Sequence, residues 1–299
     1  MDWNVIKNKM EKPKEETKSM ELVTGEETTD ATSSDMEVRD ERELKEFNIE
    51  TLSQMAKRRG MRILVIGKPK VGKTRFGSET SKVESDKKVL YIDTEDALSV
   101  FEGADFLDPT KIDVVNLYDS RLNEMDSIKM ISKLQGVLEK LTHDINFSNQ
   151  YHTVVLDSES SIWEYLQDYM KYEITRIGLK LNIKGVPSDR RDWRIANSKH
   201  WGIMQTLTSG NRNVIITVQA QPEYDQQGNM RGYKPSMQKK TEFFADITIV
   251  LDKRTDAMGN NIYFGKVTNC RYPLPGIEGK IIENPSFQKI KELVFGNKK

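Results

Sequence analysis

The sequence predicts an α/β fold with a mostly parallel central sheet, helices on both faces and an antiparallel hairpin near the C terminus. Predicted strands and helices alternate over most of the chain, and a turn rich in glycine and lysine follows the first apolar strand, ILVI. Later, the segments DITIVLDK and NIYFGKV are separated only by RTDAMGN. Alternating strands and helices favour a parallel sheet with right-handed crossovers, whereas two strands joined by a short turn favour a hairpin.

The individual elements follow from the apolar pattern. Short apolar runs predict buried strands, and apolar residues three or four positions apart predict helices. Ile131, Leu134 and Leu138, for example, share one face of a predicted helix. Strands are predicted at 63–67, 88–95, 112–118, 153–157 and 213–221, and helices at 73–85, 97–101, 127–142, 161–177 and 195–207.

Charge is distributed unevenly along the chain. The 299 residues contain 46 basic and 46 acidic side chains, yet residues 1–43 contain 13 acidic and 7 basic ones. The rest of the chain is therefore net basic. The first segment has few apolar residues and predicts a disordered acidic arm over 1–43, whose start, with Trp3, could dock on a protein partner. A helix is predicted at 44–59, within a single folded domain over 44–299 that includes the hairpin and a last helix.

Cysteine content and hydropathy restrict the compartment. Cys270 is the only cysteine, which excludes an internal disulfide framework and fits a reducing environment. No stretch approaches the roughly 20 apolar residues of a membrane span, and the first residues lack the apolar core of a secretory signal. We therefore expect a cytoplasmic protein without membrane association.

The stretch GKPKVGKT matches the phosphate-binding pattern G-x-x-x-x-G-K-[ST] directly after a predicted strand. Glycines allow the backbone N–H groups to turn towards a phosphate, and the following helix presents its positive N-terminal end. Lys73 is expected to reach the β and γ phosphates of ATP, and Thr74 to hold Mg²⁺. The predicted nucleotide contacts are Gly67, Lys68, Pro69, Lys70, Val71, Gly72, Lys73, Thr74 and Arg75.

A carboxylate at the end of the fourth strand is the candidate second metal ligand. VVLD ends in Asp157, and such an acid beside the phosphate loop orients Mg²⁺, usually through water. The strand predicted at 112–118 is expected to intervene between the phosphate-loop strand and this acid strand.

Three segments in order resemble the RecA family of P-loop ATPases. They are YIDTEDAL, VVLDS and ITVQ, which together with GKPKVGKT cover about residues 60–252. The resemblance implies that Glu95 is the general base that activates water, that Asp157 serves Mg²⁺ and that Gln219 senses the γ phosphate. It places Glu95 and Gln219 with Lys73 as the catalytic residues. Glu159 is the rival base, because many related ATPases place a glutamate just after the metal acid.

The C-terminal segment FGKVTNCRYPLPGIEGKIIENPSF resembles the end of compact RecA-like recombination ATPases of phages and archaeal viruses. Ring- and filament-forming RecA-like proteins reach a neighbour's γ phosphate with a Lys-x-Arg pair after such a strand. Here Asn269 occupies the lysine position, which leaves Lys266 and Arg271 as candidates for a trans-acting role in a homo-oligomer.

The same resemblance places single-stranded DNA on two loops, at 179–194 and 221–240. Both combine basic residues with aromatic residues, which suits phosphate neutralisation and base stacking. The candidate nucleic-acid residues are Arg190, Arg191, Arg231, Tyr233, Lys234, Lys239 and Lys240. The sequence thus favours a Mg²⁺-dependent ATPase that binds single-stranded DNA in recombination or strand annealing. A RecA-like regulatory ATPase of KaiC or RadB type, acting through a protein partner, and a small-molecule kinase stay open.

Overall fold

The computed structural model describes residues 51–53, 55, 59–118, 126–180 and 192–296, with side chains omitted at 126 and 177–180. The proposed acidic arm, most of the predicted helix at 44–59, and Arg190 and Arg191 lie outside these described residues. Met55–Lys299 forms one compact unit. Within the described part, no helix combines the length and apolar character that a membrane crossing requires.

A nine-stranded sheet forms the centre of the described chain. The strands are β1 Arg62–Gly67, β2 Lys88–Asp93, β3 Ile112–Asn116, β4 Tyr151–Asp157, β5 Asn213–Tyr224, β6 Met230–Pro235, β7 Ile247–Thr255, β8 Asn261–Cys270 and β9 Ile281–Glu283. They run in the order β3-β2-β4-β5-β1-β7-β8-β9, with β6 paired to β5 alone. The pairs from β3 to β7 are parallel, and β7–β8, β8–β9 and β5–β6 are antiparallel. The predicted fold class and C-terminal hairpin are confirmed.

Helices cover both faces of this sheet. The helices are α1 Lys73–Ser78, α2 Asp126–His143, α3 Ile145–Ser148, α4 Glu159–Lys180, α5 Trp193–Thr208 and α6 Phe287–Phe295. One apolar cluster joins the sheet to α2, α4 and α5, and a second joins the opposite face to α1 and α6. Because the central strands are buried on both faces, their sequences are continuous apolar runs rather than alternating ones.

The helix after the phosphate loop is shorter than the 73–85 that the sequence predicts. It changes to a 3₁₀ turn at Glu79–Lys82. The hydroxyl of Thr80 donates to the Gly77 carbonyl at 2.6 Å, and that of Ser81 to the Ser78 carbonyl at 2.8 Å. Such local bonds compete with regular helix bonds and favour its end here.

The strand that intervenes between the phosphate-loop strand and the acid strand is β5, so the expectation for 112–118 is wrong. β5 pairs with β1 on one side and with β4 on the other, and β3 lies at the sheet edge beyond β2. Order in a parallel sheet is set by crossover packing and not by order in the chain. The arrangement aligns Gly67 with Gln219, and Asp93 with Asp157, at the carboxyl ends of the strands.

The predicted DNA loop at 221–240 begins as a β-hairpin. β5 continues past the sheet to Tyr224, and Gln221 and Pro222 pair with Lys234 and Tyr233 of β6. A short turn and a 3₁₀ helix at Thr241–Phe244 then lead to β7. The hairpin therefore projects directly from the strand that contains the predicted sensor, Gln219.

Candidate nucleotide site

The phosphate loop has the backbone conformation that the glycines of its motif allow. Gly72 has a φ of 95° and Lys70 a φ of 63°, both in the left-handed region. At Gly67, an added Cβ would lie 2.5 Å from Cγ2 of Val71, so the loop closes too tightly for any side chain. The turn therefore needs glycine at both fixed positions of the motif.

Lys73 lies folded across this loop. Its Nζ donates to the carbonyls of Gly67 and Lys68 at 3.0 and 2.9 Å. Burial lowers the pKa of Lys73, while Asp157 and Glu95 act in the opposite direction. A lysine held inside the loop is positioned to exchange these carbonyls for phosphate oxygens.

Asp157 is the centre of a buried hydroxyl network. Its Oδ2 accepts from Thr74 Oγ1 at 2.8 Å and from the Tyr91 hydroxyl at 2.6 Å, and its Oδ1 accepts from Thr217 Oγ1. Burial, with Asp157 next, raises the pKa of Tyr91 well above its usual value, so the phenol remains a proton donor. Neither Tyr91 nor Thr217 is singled out by the motifs, because each is far from Asp157 in sequence.

The Thr74–Asp157 pair fits a magnesium ion that is also held by nucleotide phosphates. A hydroxyl and a carboxylate oxygen are the oxygen ligands that Mg²⁺ takes, and the ion commonly keeps only one or two protein ligands beside phosphates and water. Within the described residues, no group of three or more His, Cys, Asp or Glu could hold a metal by itself.

Glu95, the predicted base, lies in direct contact with the predicted sensor. Its Oε1 accepts from Gln219 Nε2 at 2.6 Å and from Ser158 Oγ at 2.5 Å. The segment carrying Glu95 is shaped by the buried Asp93, whose carboxylate accepts the backbone N–H of Glu95 at 3.0 Å and that of Leu98 at 3.0 Å. Neither Ser158 nor Asp93 was predicted, although both lie inside the quoted motifs.

Thr94 joins the ends of β2 and β4. Its hydroxyl donates to the Asp157 carbonyl at 3.0 Å and accepts from the Ser158 N–H at 2.8 Å, while its own N–H donates to the same carbonyl at 2.7 Å. These bonds hold the strand end with Glu95 against the strand end with Asp157.

Glu159, the rival base, is fully buried and engaged elsewhere. Its Oε1 lies 2.7 Å from His200 Nε2 and accepts from Thr241 Oγ1 at 2.9 Å and from the Gln238 N–H at 3.3 Å. These partners belong to α5 and to the segment after β6. The structure thus brings Glu95, and not Glu159, next to Gln219.

The family model of the AAA domain matches residues 59–261, which include the phosphate loop, both acids and the sensor strand. The chain belongs to the AAA domain family. It is accordingly a P-loop ATPase with a RecA-like fold.

One solved structure that resembles this AAA-domain protein is a prototypical ATPase from the type III secretion system of pathogenic bacteria. The two share 17% identity with a TM-score of 0.39, over 64% of this chain and 52% of that one. The chain therefore spans about half the length of that ATPase. No curated protein matches the sequence.

A cleft beside the phosphate loop of this AAA-domain protein contains a residue that sequence reasoning missed. Its lining includes Gly72, Arg75, Tyr263 and Asn284, and a Cβ built on Gly72 would lie 3.8 Å from Cδ1 of Tyr263. It shares Arg75 and Asn284 with a larger cleft of about 710 Å³. Tyr263 is on β8, far from the motif, and no local pattern in the sequence ties it to the phosphate loop.

Arg75, predicted to contact the nucleotide, faces this larger cleft. Its guanidinium lies 4.8 Å from the centroid of the Phe106 ring and its Nε donates to Glu79 at 2.7 Å. Burial raises the pKa of Glu79, with Arg75 opposing the shift. The two clefts together offer space for a nucleoside that continues from the phosphate loop.

The candidate nucleic-acid residues on β6 are partly engaged within the chain. Lys234 Nζ lies 3.6 Å from Glu223, and Arg231 Nε lies 4.0 Å from Asp225. Such exposed pairs contribute little to stability and can exchange partners. Tyr233, by contrast, packs its ring against Lys68 of the phosphate loop at 4.7 Å.

Lys239 and Lys240, the other two candidates, follow the hairpin and are exposed. Lys240 Nζ lies 5.8 Å from the centroid of the Trp201 ring on α5. Both lysines are close in sequence to Gln238 and Thr241, which bond to Glu159, so this basic turn is anchored to the start of α4.

The two trans-acting candidates belong to the C-terminal hairpin: Lys266 lies on β8, and Arg271 follows its last residue. Arg271 is held by its own chain, because its Nη2 donates to the Phe243 carbonyl at 2.9 Å and its Nη1 lies 3.4 Å from Asp246. Lys266 is exposed on β8, opposite Val250 of β7. Reaching a neighbouring phosphate would require Arg271 to leave Asp246.

Proposed function

We propose that this AAA-domain ATPase hydrolyses ATP with Mg²⁺, binds single-stranded DNA, and acts as a homo-oligomer in recombination or strand annealing. The observation that carries the proposal is the hydrogen bond between Gln219 and Glu95, because Gln219 begins the part of β5 that continues into the hairpin. One side chain thereby connects the catalytic carboxylate to the basic surface.

The positions of five side chains support the proposed catalytic roles. Glu95 is the general base that takes the proton of the attacking water, and its contact with Gln219 fixes its carboxylate. Lys73 neutralises the β and γ phosphates, and Thr74 and Asp157 hold Mg²⁺. When bound, Mg²⁺ supplies charge neutralisation on the phosphate oxygens.

The backbone of Gln219 also forms two hydrogen bonds at the base of the hairpin. Its N–H donates to Ser160 Oγ at 2.9 Å, and its carbonyl accepts from the Ser236 N–H at 2.8 Å. A shift of Gln219 between Glu95 and a γ phosphate would therefore reach both ends of the hairpin. This supports coupling between the phosphate state and the nucleic-acid surface.

Charge supports single-stranded DNA as the ligand of this surface. The hairpin and the following turn carry Arg231, Lys234, Lys239 and Lys240 against the acidic Glu223 and Asp225, and an excess of basic side chains suits a phosphate backbone. Oligomers of the phage or archaeal-virus recombination type would add Lys266 or Arg271 to a neighbour's site. The acidic arm at 1–43 would then bind a protein partner.

The test is ATP turnover measured with and without a single-stranded oligonucleotide. The wild type is expected to be stimulated, Lys73→Ala to lose nucleotide binding, and Gln219→Ala to bind both ligands while turnover no longer responds to DNA. A wild type that binds no single strand at low salt, with or without a non-hydrolysable ATP analogue, overturns the DNA proposal. In that case the regulatory ATPase acting through a protein partner is the better interpretation.

A further inference from the structure

A cleft of about 270 Å³ opens between the outer face of α5 and the turn after β6. Its walls are Arg194, Asn197, Ser198, His200, Trp201, Gln238 and Lys240. Small-molecule sites usually enclose roughly 300–1,000 Å³, so this cleft suits one planar ring rather than a larger ligand. None of its lining residues is acidic.

The helical wall of the cleft has one consistent face. Arg194, Asn197 and Trp201 are spaced three and four residues apart, so their side chains follow one another along α5. Trp201 leaves 40% of its surface exposed, although its ring meets the Phe244 ring edge to face with centroids 4.8 Å apart. The indole therefore has a fixed position and an accessible surface.

The opposite wall is held in place by hydrogen bonds from Gln238 to α5 and to the buried Glu159. Gln238 Nε2 donates to Asn197 Oδ1 at 3.0 Å, while the Gln238 N–H donates to the buried Glu159 at 3.3 Å. Lys240 lies over the Trp201 ring at 5.8 Å, and its N–H donates to Gln238 Oε1. The amides of Asn197 and Gln238 thus present donors and acceptors next to an aromatic ring and two cations.

We infer that this cleft binds one unstacked base of a single-stranded nucleic acid, with Trp201 as the stacking surface. Asn197 and Gln238 lie where they can bond to the base edge, and Arg194 and Lys240 where they can neutralise the adjoining phosphates. The inference rests on the proposed function and adds a base-binding site on α5, separate from the β5–β6 hairpin. Lys240 would move from the ring to a phosphate as the base enters.

The experiment compares an oligothymidylate with an abasic strand of equal length and equal phosphate number. Wild type should bind the base-bearing strand more tightly than the abasic one. Trp201→Ala should lower the affinity for the base-bearing strand by roughly 5- to 150-fold while leaving the affinity for the abasic strand unchanged. Tyr172→Ala is the matched control, since this exposed aromatic residue on α4 does not line the cleft. It should leave both affinities as in wild type.

Intrinsic fluorescence provides a second measurement that tolerates a milder substitution. Trp201→Phe keeps an aromatic ring against Phe244 and should abolish the quenching caused by the single strand, whereas Trp163→Phe should retain it. If Trp201→Ala lowers the affinities for the base-bearing and abasic strands equally, or if quenching persists in Trp201→Phe, the base site is overturned while the DNA-binding function remains. A wild type that binds neither strand contradicts the function itself, and with it the base site.

Discussion

Lys68 of the phosphate loop lies over the ring of Tyr233 on the β5–β6 hairpin, with its Nζ 4.7 Å from the ring centroid. The same ammonium lies 3.3 Å from Asp252 of β7. The sequence assigned Lys68 to the nucleotide and Tyr233 to base stacking, as two unrelated roles. The contact couples the two roles, because a nucleotide that attracts the Lys68 ammonium towards its phosphates draws it away from the Tyr233 ring.

We predict that Tyr233→Ala and Lys68→Ala alter ATP affinity through one shared interaction. An exposed cation–π contact contributes about 0.5–1 kcal/mol, so a double-mutant cycle on ATP binding should give a coupling energy of that size. Tyr233→Phe keeps the ring and should behave as wild type. Strictly additive single effects in calorimetric titrations would show that the two residues act independently.

Glu95→Gln should slow ATP hydrolysis by roughly 10²-fold or more while ATP remains bound, because a positioned general base contributes on this scale. Glu159→Gln should instead lower the melting temperature, since it alters the buried bonds to His200 and Thr241. Glu102→Gln, an exposed carboxylate near the same segment, is the control for both. Steady-state turnover and thermal unfolding decide the assignment, and loss of turnover in Glu159→Gln with a normal Glu95→Gln would reverse it.

If the adenine base packs in the cleft beside Gly72, Tyr263→Ala should weaken ATP binding by roughly 1 kcal/mol, the scale of an aromatic contact. Inorganic triphosphate, which has no base, should bind the variant and the wild type equally. Tyr263→Phe should retain ATP affinity. Competition titrations against a fluorescent nucleotide measure all three, and an equal loss for ATP and triphosphate would mean that Tyr263 supports the loop rather than the base.

His152 should make folding sensitive to acid. Burial, with smaller contributions from Lys111, Lys87 and Lys291, lowers the pKa of His152 to about 4. The unfolded chain takes up a proton near pH 6.5 and the folded chain only near pH 4, so this contribution to stability is complete above about pH 6.5 and lost as pH falls towards 4.

His152→Gln should therefore reduce the slope of the unfolding free energy between these pH values, as measured by urea titration. An unchanged slope in His152→Gln would contradict a half-buried imidazole that stays neutral in the folded chain.

Local patterns in the sequence predicted most of the buried strands and long helices, and they pointed to the phosphate loop. Strands buried on both faces are encoded as apolar runs, and the geometry of the phosphate loop is fixed by glycines within eight residues. The resemblance to the RecA family singled out Glu95, Asp157 and Gln219, which lie at or near the ends of predicted strands, and parallel strands bring their carboxyl ends to one edge.

The tertiary structure alone decided which strands are neighbours and which distant side chains meet. The sequence placed 112–118 between β1 and β4, but crossover packing puts β5 there and moves β3 to the edge. Likewise, the two candidate bases could be distinguished only from the packing of α5, whose His200 contacts Glu159. Tyr263 reaches Gly72, and Tyr233 reaches Lys68, across more than 150 residues of chain. Contacts of this kind depend on how whole elements pack, and no local pattern of residues records that packing.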